Sequence, residues 1–180
     1  MIYFTSDLHF CHDKWFLYVP RGFKSVDDMN EASIERWNST VTPDDDVYVL
    51  GDLMLNDNEK GVECIRRLNG KIHIVLGNHD SDARIAIYES LPNVVSVSWA
   101  ERVKYEGITL FLTHYPCMTH NVMKEPLKTV VFNLFGHTHS RELFYEGSPY
   151  AYNVSLDAHD CTPVSAEQVK TDIIQKYQSI

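Results

Sequence analysis

Short apolar runs recur through the first half of the chain, and each ends in a small residue followed by polar ones. Ile2 to Thr5 runs into Ser6-Asp7, Val47 to Leu50 into Gly51-Asp52, and Ile72 to Leu76 into Gly77-Asn78-His79-Asp80. Unbroken apolar runs of this length predict strands buried on both faces. Between them the period changes to that of a helix. Val26, Met29, Ile34, Trp37 and Val41 fall on one side of a 3.6-residue wheel, and Ser25 with Asp28 forms a capping signal. Val62, Ile65 and Leu68 repeat the spacing until Asn69-Gly70 stops it, and a third helix begins near Ser81 and ends by Leu91-Pro92. Strand–helix–strand alternation predicts an α/β arrangement.

After Pro92 the texture turns to short β-like runs. They are Val94–Val97, Glu101–Tyr105, Thr109–Thr113, Thr129–Phe135, Glu142–Tyr145 and Tyr150–Val154. Ser165 to Gln178 returns to a helical pattern, with Ser165 and Gln168 placed as a capping box. No repeat and no linker-like tract interrupts the chain, so residues 1–180 read as a single domain of two packed sheets covered by helices.

Composition narrows the function classes. A length of 180 residues with 44% hydrophobic and 23% charged residues is that of an ordinary globular domain. Its opening segment predicts no secretory leader, and no run approaches the length of a membrane helix. Cys11, Cys64, Cys117 and Cys161 form no CxxC pair, which favours a reduced, cytoplasmic compartment over a disulfide scaffold or structural zinc site. The net charge of −9, with no basic cluster denser than Arg66-Arg67, argues against a long nucleic-acid partner. Short or nucleotide-like ones remain, and bound cations would change the local field.

The strand ends carry the chemistry. Asp7 and His9, Asp52, Asn78 with His79 and Asp80, His114, and His137 with His139 all follow apolar runs. Ligands of α/β proteins gather where the carboxyl ends of strands converge. The i, i+2 spacing of Asp7/His9 and of His137/His139 puts each pair on one face of an extended segment. A lone histidine or a lone turn aspartate would be bland. Five separate runs each delivering such residues is not explained by turn chemistry.

These motifs, Asp7-x-His9, Gly51-Asp52, Gly77-Asn78-His79-Asp80, His114 and Gly136-His137-Thr138-His139, resemble in order the calcineurin-like metallophosphoesterase superfamily, in its small bacterial, archaeal and phage type. They span positions 7 to 139, about three quarters of the chain. The resemblance implies a four-layer αββα sandwich of two mixed sheets flanked by helices, with a two-metal centre at one edge. By the resemblance, Asp7, His9 and His139 hold the first metal with Asp52, Asn78, His114 and His137 hold the second, and Asp52 bridges both. His79 is then the general acid, and Asp80 orients its ring. A donor set of imidazole nitrogen with carboxylate and amide oxygen suits two divalent transition metal ions, Mn foremost, with Fe, Zn, Ni or Co as alternatives. Two such cations, typically about 3.5–4 Å apart, activate a bridging water to hydroxide and grip phosphate oxygens.

The implied activity is hydrolysis of a small phosphate ester, a phosphodiester before a monoester. A nucleotide pyrophosphatase on the same site and a non-catalytic protein-binding scaffold are the alternatives. The protein Ser/Thr phosphatases of that superfamily carry GDxxDRG and GNHE. Here Gly51-Asp52-Leu53-Met54-Leu55-Asn56-Asp57 lacks the arginine and Asp80 replaces the glutamate, which disfavours a phosphoprotein substrate. Three further features are open in sequence. The aromatics of loop 10–24, Phe10, Trp15, Phe16, Tyr18 and Phe23, form either a stacking wall for a flat group or a packing cluster. His12 and Arg141 are candidate substrate contacts. The segment Tyr115 to Lys128, with His120, Lys124 and Lys128, reads as a basic flap or a plain solvated loop.

Overall fold

Among the described residues, 1–121 and 125–179, the computed structural model sorts nine strands into two mixed sheets. In chain order the elements are β1 (Ile2–Thr5), α1 (Trp15–Tyr18), α2 (Val26–Thr40), β2 (Asp46–Leu50), α3 (Asn58–Arg66), β3 (Lys71–Val75), α4 (Asp82–Glu89), β4 (Val94–Ser98), β5 (Glu101–Tyr105), β6 (Ile108–Leu112), β7 (Val131–Phe135), β8 (Ala151–Asn153), β9 (Val164–Ser165) and α5 (Ala166–Gln178). The first sheet has the order β4-β3-β2-β1-β9, parallel except for the β1–β9 pair. The second has the order β5-β6-β7-β8, parallel except for the β5–β6 hairpin. The expected pair of mixed sheets flanked by helices therefore forms. No helix among the described residues is long and apolar enough to cross a membrane.

Alternation along the strands decides what each sheet face buries. Val47, Val49, Ile72 and Ile74 join Leu17, Met29, Ile34, Trp37, Ile65 and Tyr88 of α1 to α4 in one apolar cluster. Phe4, Leu50 and Val75, their neighbours on the opposite face, meet Leu110, Leu112, Phe132, Leu134 and Tyr152 of the second sheet, with Val169 and Ile173 of α5. Trp37 is fully buried with its indole N–H donated to Asn69 O at 2.9 Å, so its large apolar body goes inside with no unmet donor. The expected caps form: Ser25 accepts from the amide of Asp28, and Ser165 from that of Gln168.

Two expectations are corrected. Glu142–Tyr145 makes no strand. Only Phe144 bridges to Tyr152, and a single 3₁₀ turn follows in which Glu146 has φ 48°. The turn at Gly147 and Pro149 leaves no length for a ladder. The helix expected to run through Leu68 and stop at Asn69-Gly70 ends at Arg66, and Asn69 bonds back to the C-terminal end of α2 through Asn38 and Val41.

Candidate metal centre

The parallel strands β1, β2 and β3 end side by side, as do β6 and β7, so the residues just beyond them converge. Backbone hydrogen bonds lock these ends together: Asp7 N–H to Gly51 O at 3.1 Å, His9 N–H to Asp52 O at 2.9 Å, and Gly136 N–H to His114 O at 2.9 Å. Asp7, His9, Asp52, His137 and His139 all have φ between 50° and 66°, in the left-handed region that non-glycine residues avoid. That such strain gathers at these positions fits a functional site, because the surrounding ladders must hold it in place. Three glycines make room. A Cβ at Gly136 would overlap Ser6 and Asp7, one at Gly77 would overlap the Asp52 carboxylate, and one at Gly51 the His114 ring.

The side chains form a buried floor and an exposed rim. Asp7, His9, Asp52 and His114 are buried, whereas Asn78, His79, His137 and His139 face solvent. Ser6 Oγ–H donates to Asp7 Oδ2 at 2.6 Å and the His137 amide to the same oxygen at 2.8 Å. Oδ1 of Asp7 is left buried with no partner, aimed between His9 Nε2 at 3.8 Å and His139 Nε2 at 3.9 Å. Asp52 repeats the pattern. Its Oδ1 accepts the His79 amide at 3.0 Å, while Oδ2 faces His114 Nε2 at 3.5 Å, His9 Nε2 at 3.7 Å and His79 Nε2 at 4.0 Å.

His114 Nδ1 lies 2.8 Å from Leu50 O, a pure acceptor, so Nδ1 carries the hydrogen and Nε2 of the neutral ring is a lone pair. That lone pair lies 2.8 Å from Asn78 Oδ1, which is also 3.0 Å from His137 Nδ1. Facing lone pairs at that distance repel unless a cation or proton sits among them.

The donor set therefore fits a bound cation. Asp7, His9 and His139 place ligand atoms within 4.8 Å of one another, and so do Asp7, Asp52 and His114. Ligands about 2.0–2.2 Å from one ion sit roughly 3–3.5 Å apart, close to the separations above. The pKa values carry the same message. Burial, and then the nearby His139, Arg21, His12 and His79, push His9 down to about 2, so the ring stays neutral and one of its nitrogens is a free lone pair. Burial raises Asp52, with Asp7 and Asp80 adding to the rise against His114 and the His79 amide. Close carboxylates that repel in this way await positive charge.

Around this floor lies a layer of supports. His139 Nδ1 bonds Asp157 Oδ2 at 2.9 Å, and Arg21 grips both oxygens of Asp157 at 2.9 and 2.7 Å while donating to Asp7 O at 2.8 Å. Burial alone would raise Asp157, but Arg21 and His139 hold it well below the usual carboxylate range. Neither Arg21 nor Asp157 was identifiable in sequence, since they lie 136 residues apart and outside every motif. The one usable signal was chemical, because a metal-binding histidine needs an acceptor for its second nitrogen.

The role expected of Asp80 is corrected. Its carboxylate accepts the amides of Asp52 at 3.0 Å and Gly77 at 2.8 Å and the Tyr88 hydroxyl at 2.8 Å, so it braces two strand ends and is not the partner of the His79 ring. Arg141 is turned away from the cluster to the carbonyl of Pro20. His12 does lie beside it, its ring 5.3 Å from His9 and 6.3 Å from His79. Loop 10–24 divides: Phe10, Leu17 and Phe23 are buried, while Trp15 and Phe16 are exposed. Of the candidate flap, Lys124 lies outside the described residues.

Residues 1–154 match the family model described as the calcineurin-like phosphoesterase superfamily domain. An uncharacterized protein of Methanocaldococcus jannaschii is 30% identical over 177 residues, covering 93% of this chain and 88% of its own. The gene 66 protein of Mycobacterium phage D29 is 28% identical, covering 91% of this chain and 92% of its own. Among solved structures, a protein of unknown function from Aquifex aeolicus superposes with a TM-score of 0.73 at 21% identity, covering 95% of this chain and 98% of its own.

Proposed function

Because this chain belongs to the calcineurin-like phosphoesterase superfamily, we propose that it is a hydrolase of small phosphodiesters acting at a two-metal centre. The observation that carries this reading is the convergence of unpartnered ligand atoms at the strand ends: Asp7 Oδ1 and the His9 ring nitrogens without partners, and His114 Nε2 against Asn78 Oδ1. Asp7, His9 and His139 would hold one divalent cation and Asn78, His114 and His137 the other. Asp52 would be shared, since its Oδ2 faces His9 and His114 at nearly equal distances, 3.7 and 3.5 Å. Bound there, such cations supply Lewis acidity, an activated water and charge to meet the phosphate oxygens.

The chain's own groups divide the remaining work. The supports on Asp7, His114 and His139 fix each ligand before substrate arrives, so little reorganisation is needed at the moment of reaction. His79 is the general acid. Its ring is on the exposed rim, and its backbone amide is tied to Asp52, which holds it beside the reacting phosphate without making it a ligand. It donates the proton that the leaving oxygen needs as the ester bond breaks. His12 is the next side chain in reach of the rim, and its burial lowers its pKa, which favours a neutral ring that accepts a hydrogen bond.

The test is turnover of bis-p-nitrophenyl phosphate by protein stripped of metal and reloaded with Mn²⁺, Zn²⁺, Ni²⁺ or Co²⁺, against p-nitrophenyl phosphate as the monoester. Asp52→Asn should lose both bound metal and turnover. Failure of every metal with both esters would overturn the reading.

A further inference from the structure

The centre opens to solvent between aromatic side chains. At the end marked by Asp7, His9 and His139, a file of rings leads outward. His12 stands 5.3 Å from His9, Phe16 meets His12 edge to face at 6.2 Å, and Trp15 meets Phe16 the same way at 6.2 Å. Phe16 and Trp15 are 58% and 68% exposed. At the end marked by Asn78, His114 and His137, Tyr115 stands edge-on to His137 at 4.6 Å and to His114 at 5.1 Å, and is 50% exposed. Leaving Trp15 and Phe16 in water forgoes burial that Phe10, Leu17 and Phe23 of the same loop do obtain, and Tyr115 is left in water likewise. Their place on either flank of one polar cluster makes them a single surface, continuous with the rim.

We propose that Trp15 and Phe16 on one side and Tyr115 on the other are stacking platforms for flat rings of the substrate, so that the preferred substrate is a short phosphodiester bearing a base on each side, of dinucleotide size. This rests on the phosphodiesterase reading above. Every base has a π-face, so such platforms bind without needing a particular sequence. An aliphatic ester would find nothing there to stack against. A phosphate held over Asp52 has a platform in each direction, which matches a diester and leaves one platform idle for a monoester. The net charge of −9 sets the length, because a long polyanion would be repelled from most of the surface.

The experiment uses the Mn²⁺-loaded protein carrying Trp99→Phe, a change at an exposed residue outside the site. Trp15 is then the solvent-exposed tryptophan, beside the buried Trp37. The kcat/KM for a dinucleoside monophosphate is compared with that for the same sugar–phosphate diester lacking both bases. The base-bearing diester should be preferred about tenfold or more, the size of at least one stacked base. Trp15→Ala, Phe16→Ala and Tyr115→Ala should each move that ratio toward one, chiefly through KM. Titration with the dinucleotide should quench the Trp15 emission. Equal turnover of the two diesters, or no quench, overturns the platforms while leaving the phosphoesterase reading in place. Absence of turnover for both diesters sinks that reading instead, and the quench then decides the platforms by itself.

Discussion

Asp157 shows how much a residue can matter without touching the reaction. It fixes the His139 ring through Nδ1 and neutralises Arg21, whose side chain is only 1% exposed. Asp157→Asn keeps the shape and removes the charge, so Arg21 loses its counter-ion and a single acceptor oxygen is left to serve both Arg21 and the His139 ring. The expected result is metal affinity lower by about 10–100-fold, the usual effect of losing such a support, measured by competition with a chromogenic chelator. Unchanged affinity would show that His139 is held by something else. His79 makes the opposite prediction. His79→Ala should retain its metal by elemental analysis yet hydrolyse diesters about 10²–10⁴-fold more slowly. If the metal leaves with the ring, His79 is a ligand and not the acid. These two residues also differ in how far the sequence alone points to them. His79 sits in a strand-end motif and could be named from it, whereas Asp157, three residues past the Tyr150–Val154 run, belongs to no motif and meets His139 only through the fold.

At the scale of elements, the site is a meeting of strand ends, and the glycines that let them meet are part of it. Gly136 lies directly after β7 with Ser6 and Asp7 pressed against it, so Gly136→Ala must push the end of β1 outward. The expected outcome is a lower unfolding temperature together with loss of metal binding. Gly107→Ala, in the open β5–β6 turn at φ +88°, should cost only the roughly 1 kcal/mol of strain for a residue with a side chain and leave metal binding alone. Equal behaviour of the two in metal binding would remove the packing argument. The strands that set up this meeting were legible because β1, β2, β3 and β7 each carry a mostly buried, mostly apolar run that ends in a small residue, a pattern with few alternatives. Glu142–Tyr145 misled because Leu143 and Phe144 cover β8 and the face of α5 from a loop, packing as strand residues do without a ladder. β9 has two residues and pairs only because β1 offers its free edge, which no local pattern announces.

Across the whole molecule the two sheets are joined by burial, and buried polar groups behind them can respond to pH. His159 is one of them. Its Nε2 donates to Asn153 O at 2.8 Å at the end of β8, its ring lies 5.7 Å from that of Tyr152, and it follows the turn that carries Asp157. Burial lowers its pKa, against the smaller opposing effects of the Asn153 carbonyl, Asp172 and Asp160. In the unfolded chain the same ring titrates near its ordinary value of about 6.5. Below that pH the unfolded state takes up a proton that the folded state refuses, so stability falls as pH drops from about 6.5 through the folded value and levels off beneath it. Above about 6.5 both states are neutral and His159 contributes no pH dependence. His159→Gln keeps a donor for Asn153 O but cannot titrate. Urea unfolding of both proteins without metal should therefore give a constant difference in stability above pH 7, and a difference that shifts in favour of the variant as the pH falls toward 5. The slope of that shift cannot exceed one proton, about 1.4 kcal/mol per pH unit. The other histidines are common to both proteins and cancel in the difference. A difference that stays flat from pH 8 to pH 5 would mean that the folded molecule accepts a proton at His159 as readily as the open chain does.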